Sequence, residues 1–183
     1  MGGRDAGQLR LLAQGAPRYA VNRKVLAGAG ESIVRFVESG IAALADNLGP
    51  ILWQFAGPTK FEADDFAAFL ALLPQAAEGR VLTNVLEPRH ASFDVPAFRE
   101  MAAHGCAVAV ADADGYPNHG AGTGPLVYAR LQRCGADIET GCPTDELDAW
   151  AAKAKRDEPP TATPSTCSSS RAARSARLRL RWR

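Results

Sequence analysis

The sequence predicts an α/β fold that is TIM-barrel-like, an incomplete (β/α) barrel of about four units. Three observations carry this. The runs 51–55, 81–86, 106–112 and 126–131 are apolar almost throughout, as strands buried on both faces of a parallel sheet are. Between them, apolar residues recur at three- and four-residue steps, the period of a helix lying on such a sheet. Polar residues then collect where the strands end, which is where α/β proteins bind ligands. A closed barrel needs about 250 residues; this chain has 183 and fills part of one.

The elements follow in order. Residues 1–17 carry only a short apolar patch, Leu9 to Ala13, and read as a poorly ordered N-terminal segment. From Gly30, the residues Ile33, Phe36, Val37, Ile41 and Leu44 line one helical face, with Glu31 and Ser32 suited to the first turn. Leu48-Gly49-Pro50 stops that helix, and Ile51 to Phe55 form the first strand, broken by Gly57-Pro58. A second helix runs from Glu62 to Leu73 on Phe66, Phe69, Leu70 and Leu73, and Pro74 ends it. Val81 to Leu86 make the second strand. Pro96 opens a third helix in its first turn, with Phe98, Met101 and Ala102 facing inward and His104-Gly105 closing it. Cys106 to Asp112 form an apolar strand capped by a carboxylate, and residues 112–125 a loop. Leu126 to Leu131 are the fourth strand. Thr144 caps a last helix that passes Trp150 and reaches Lys155.

At Arg156 the composition changes to Pro, Thr, Ser, Ala and Arg. Such a segment buries too little apolar surface to order itself, so 156–183 reads as a disordered tail on a domain spanning 18–155. Seven arginines against two carboxylates give that tail a net +5, which leaves −4 for the rest of a chain whose formal charge is +1. An acidic body argues against a nucleic-acid-binding core, and leaves only weak, charge-driven binding through the tail. No leader-like segment and no run of 18 apolar residues occurs, so neither secretion nor a membrane span is expected. The four cysteines lack CxxC spacing. Cys106 reads as a buried thiol, and Cys134 and Cys142 could bridge or bind metal but have no histidine close in sequence. A cytoplasmic protein with reduced thiols is the default.

Leu48-Gly49-Pro50-Ile51-Leu52-Trp53-Gln54-Phe55, then Phe69 to Pro74, then Glu87-Pro88-Arg89-His90-Ala91-Ser92-Phe93 resemble the YecE-like proteins, the "domain of unknown function 72" family. Asp112, Tyr116-Pro117 and Val127 to Leu131 fit the same pattern over residues 18–155. The resemblance implies a TIM-barrel-like fold and a bacterial, cytoplasmic protein, and brings no established reaction or cofactor. The chain departs from the family at both ends. An opening glycine- and tryptophan-containing strand segment is missing, Gln132-Arg133 stand where His-Gly is common, and the Arg/Ser tail replaces further strands. GC-rich DNA read out of frame gives such a composition, so the tail reads as an out-of-frame end on a partial family member.

The stretch Glu87-Pro88-Arg89-His90 ends a buried strand on an acid, a guanidinium and an imidazole. Alternation sends Glu87 and Arg89 to one side and His90 to the other unless Pro88 re-aims them. Glu87, Asp112 and His90 are candidate acid–base groups, set against a Glu–Arg pair that merely closes the barrel mouth. Gln54, Arg89, Tyr128 and Arg130 are candidate ligand-binding groups, and Arg130 inside its strand requires an anion, whether Glu87, Asp112 or a bound phosphate. Gly120-Ala121-Gly122-Thr123-Gly124 lacks the lysine and helix start of a phosphate loop. No metal-ligand spacing is present, and His104 and His119 read as solvated. These residues point to a pocket for a small anionic ligand, with hydrolysis of a phosphate or sugar ester as its enzymatic form. The alternative is a truncated, non-catalytic remnant that self-associates through exposed sheet edges.

Overall fold

The computed structural model describes residues 11–14, 25–120, 126–133, 135, 138, 141–157 and 166–169. Strand β1 (Leu11–Gln14) is followed along the chain by a 3-10 turn (Leu26–Ala29) and helix α1 (Gly30–Glu38). A second 3-10 stretch (Ile41–Asn47) enters β2 (Leu48–Gln54), and α2 (Ala63–Leu72) crosses back. A hairpin of β3 (Ala76–Ala77) and β4 (Arg80–Val81) precedes β5 (Asn84–Glu87) and α3 (Pro96–Ala103). Then come β6 (Cys106–Val108), β7 (Val110–Asp112), β8 (Tyr128–Leu131), α4 (Thr144–Asp157) and β9 (Thr166–Ser169). The result is a mixed α/β fold. One parallel sheet has the order β1-β2-β5-β6 and a second the order β7-β8-β9. Strand order follows chain order without reversal, unlike a doubly wound sheet.

Several boundaries differ from the sequence expectation for physical reasons. The helix beginning at Gly30 ends at Glu38, not at Leu48-Gly49-Pro50: Gly40 takes φ 96°, a left-handed value that breaks the helix. Leu48 to Pro50 instead start β2. Pro50 has no N–H to give, and here the register to β1 slips by one residue, Leu11 facing Leu48 but Ala13 facing Ile51. Val81 belongs to the small hairpin and is 87% exposed, because Glu78-Gly79 turn the chain with φ 48° and 78°. The strand expected from 106 to 112 is interrupted at Ala109, where one sheet gives way to the next. Two strands lie where none is predicted, β1 within 1–17 and β9 within 156–183; helix α4 extends into the second segment as far as Asp157, and the rest of both lies outside the described residues. Cys106 is buried as anticipated, its thiol pushed up to about 11 by burial. Cys142 is disulfide-bonded, contrary to the expected reduced thiols.

Registered residues of parallel strands share a face, so the two sides of the first sheet can be read directly. Trp53, Leu86 and Val108 align on the side covered by the helices, where they join Ile33, Phe66, Phe69, Phe98 and Ala102 in the main core. Leu52, Val85 and Ala107 align on the other side and pack with Ala109, Leu126 and Tyr128. Every one of those six is at most 4% exposed. The side away from the helices is thus packed as well.

One buried polar bridge ties the helix side together. Trp53 Nε1–H donates to Asn84 Oδ1 at 2.8 Å, and Asn84 Nδ2–H donates to the Pro74 carbonyl at 3.0 Å. Asn84→Ala removes the acceptor of the buried indole N–H and the donor to the Pro74 carbonyl at a residue with no exposure of its own. The expected loss is about 1–3 kcal/mol, read as a lower urea midpoint.

Candidate functional site

Glu87 ends β5, and Pro88 after it ends the strand's capacity to donate to a ladder. Its carboxylate is 1% exposed, a placement that is costly without cationic partners. Two guanidinium groups supply them. Arg89 donates from Nε and Nη2 to Oε1, both at 3.1 Å. Arg130, from β8, donates from Nη1 to Oε2 at 2.5 Å. The Arg89 and Arg130 side chains are 19% and 11% exposed. These three side chains together carry a formal charge of +1. The Tyr116 ring covers Arg89, with 4.5 Å from Cζ to the ring centroid.

The structure brings together only some of the residues the sequence singles out. Glu87, Arg89 and Arg130 form the cluster, and the anion Arg130 requires is Glu87. Gln54 is registered beside Glu87 on β2. Tyr128, two residues before Arg130, is buried among Leu52, Val85 and Ala107. Asp112 is elsewhere. It is registered with Leu131, whose side chain packs on Cys142, Leu147 and Trp150, so it shares that face rather than the face of Ala111 and Arg130. Its carboxylate meets Arg133 Nη2 at 2.5 Å. A shared acid–base role for Glu87 and Asp112 is therefore not assembled. His90 also turns away. Its Nδ1 accepts from the Ser92 N–H at 3.1 Å and lies 2.8 Å from Ser92 Oγ, capping the 3-10 turn Ala91–Phe93. Of the glycine-rich loop, residues 121–124 lie outside the described residues. Gly120 has a packing role, since a Cβ there would stand 2.6 Å from the Ala109 and Val110 backbone.

His119 is a residue that sequence reasoning misplaces. It is 4% exposed, not solvated. Nε2–H donates to the His90 carbonyl at 3.1 Å, and the ring lies 6.3 and 6.4 Å from those of Phe93 and Phe98. Nδ1 is buried without a partner among the described residues. No spacing rule marks this histidine, because its burial comes from a loop folding back on an aromatic cluster distant in sequence. Burial pushes its pKa below the ordinary 6.5; Arg99 and His90 act in the same sense, and the His90 carbonyl and Asp94 oppose it. The unfolded chain therefore takes up a proton that the folded chain resists. The stabilisation is complete above pH 6.5 and is lost as pH falls from there through the depressed value. Urea midpoints should drop between pH 7 and 5 in the wild type, and less steeply in His119→Gln.

Among the described residues no group of three or more His, Cys, Asp or Glu is placed to hold a metal ion, and no helix is long and apolar enough to cross a membrane.

Fold and cluster together define a mixed α/β protein with parallel sheets and, at the strand ends, a buried carboxylate held by two part-buried arginines. The chain belongs to the family described as protein of unknown function DUF72, whose family model matches residues 13–181. That span is wider than the 18–155 of the sequence resemblance, and takes in most of the tail that the out-of-frame reading sets apart. No curated protein matches the chain. A DUF72 family protein from Thermotoga maritima MSB8 is similar in structure, with a TM-score of 0.59 at 17% identity over 87% of this chain and 65% of that one. Another, from Enterococcus faecalis V583, gives 0.57 at 15% identity over 90% and 68%. At such identities the likeness shows the fold alone. The chain spans just under two thirds of the Thermotoga protein's length, at 65%.

Proposed function

We propose that the chain binds a small anion, a carboxylate or phosphate, at the C-terminal strand ends of a partial (β/α) barrel. The parallel strands that follow one another in chain order, with helices on one side and packed side chains on the other, support the barrel. The observation that carries the binding reading is geometric: two part-buried guanidinium forks, at most 19% exposed, converge on one buried carboxylate at a strand end. The planar forks of arginine suit oxyanions. Glu87 then serves to hold both forks in place. Binding is favoured over hydrolysis because, of the two candidate bases, Asp112 lies on the other face and Glu87 is bonded to both arginines.

Titration with inorganic phosphate at fixed ionic strength tests this. The melting temperature should rise with phosphate concentration, as mass action on the folded state requires, and Arg130→Met should abolish the rise. A wild-type protein that responds to phosphate no more than to chloride would rule the reading out.

A second reading rests on the sheet ends. Among the described strands, β1 pairs with β2 and β9 with β8, so each has a side without a recorded partner strand. Such edges favour self-association. Sedimentation showing a mass independent of concentration would count against it.

A further inference from the structure

We propose that Tyr116 is a positioning residue for the Arg89 guanidinium, held over it by a loop that His119 fastens from beneath. The inference deepens the anion-binding reading and rests on it for its functional meaning. Its structural content stands alone.

The geometry runs through residues 116–120, which follow β7 at the same sheet end as Glu87. At one end of this segment the Tyr116 ring lies against Arg89, whose Cζ sits over the ring 4.5 Å from its centroid. At the other, Gly120 fits so closely against the Ala109–Val110 backbone that a Cβ would lie 2.6 Å away. Between them His119 is buried between Phe93 and Phe98, and its Nε2–H is bonded to the His90 carbonyl, 3.1 Å away. That carbonyl is one residue beyond Arg89. Both sides of the Tyr116–Arg89 contact are therefore tied to a single buried imidazole.

Glu87 grips Arg89 along one edge, through Nε and Nη2. The Tyr116 ring packed against the guanidinium restricts its tilt and shields the charge from water, which strengthens its hold on an anion. Tyr116 is itself 41% exposed, so it needs the loop's anchor to stay in place. Protonating His119 would put a charge among the phenylalanines. The charged or titratable groups acting on it are Asp94, Arg99 and His90; of these Asp94 alone favours that charge, and it is itself bonded to Arg99. Acid should therefore release the loop, and Tyr116 with it.

The test reads the Arg89 Nε–H resonance, assigned by its loss in Arg89→Lys, together with phosphate titration. A ring on the guanidinium displaces that resonance. The displacement should persist in Tyr116→Phe, vanish in Tyr116→Ala, and fade in the wild type between pH 7 and 5 but not in His119→Gln. Phosphate binding should weaken roughly three- to tenfold in Tyr116→Ala and stay near wild type in Tyr116→Phe. A resonance and affinity unchanged in Tyr116→Ala would overturn the proposal. If the wild type binds no phosphate, the anion reading fails while the resonance still decides whether Tyr116 positions Arg89.

Discussion

Replacing Glu87 with alanine is expected to destabilise the protein by about 3–5 kcal/mol. The carboxylate is 1% exposed and receives all three of its hydrogen bonds from guanidinium groups. Removing it takes the shared carboxylate away from two part-buried guanidinium groups, 19% and 11% exposed. Most of the expected loss is the penalty of leaving those charges without it rather than the worth of the pairing itself. The double variant Glu87→Ala with Arg130→Met should then recover part of what Glu87→Ala loses, since one of the two charges goes with its partner. Urea unfolding of wild type, both single variants and the double variant measures the cycle. Additive losses would mean that Arg130 finds its own solvation without Glu87. Glu87→Gln keeps the shape and discards the charge. It should fall between wild type and alanine, separating the effect of charge from that of the space filled.

How much of this cluster is legible in the sequence follows from which geometry each residue depends on. Glu87 and Arg89 stand on one strand end, and period-two alternation puts them together and sends His90 away; no long-range information is needed. Arg130 is legible one step less directly. A guanidinium inside an apolar strand must find an anion, but the sequence leaves Glu87, Asp112 and phosphate equally open. The choice depends on strand register, Ala111 facing Arg130 and Asp112 facing Leu131. A shift of one residue exchanges the faces, so no composition rule decides it. The helices at 63–72 and 96–103 come through because Phe66, Phe69, Phe98 and Ala102 keep helical spacing and Pro96 sits where a helix accepts it. Strand β9 is hidden because Thr166–Ser169 has no apolar pattern; what makes it a strand is the neighbouring β8, whose backbone it pairs with residue for residue. Tyr116 and His119 are hidden for a related reason. Loop residues carry no period, and their contacts with Arg89 and the phenylalanines exist only once the fold has formed.

The second large effect is expected at Phe93, where core and site meet. Its side chain has no exposure, and its ring centroid lies 5.6 Å from that of Phe55, 5.5 Å from Phe61, 6.2 Å from Phe66, 5.2 Å from Phe98 and 6.3 Å from His119. The turn that presents it is short and is held by the His90 cap and by Phe61 N–H donating to Ser92 Oγ at 2.8 Å. Neither contact can move far enough to close a gap the size of a benzene ring. Phe93→Ala should therefore lose about 3–5 kcal/mol, at the full cost of lost transfer plus a persisting cavity. Phe93→Leu refills part of the space and should lose distinctly less. The same cavity opens against the buried face of His119. With room for water beside it, the imidazole is no longer held neutral by burial, and its pKa should return toward 6.5. The fall in stability between pH 7 and 5 should then be shallower in Phe93→Ala than in the wild type, although the variant is the less stable at every pH. Urea midpoints across that range decide it. A slope as steep as the wild type's would mean that His119 is held neutral by its other neighbours, and that the aromatic cluster contributes packing alone.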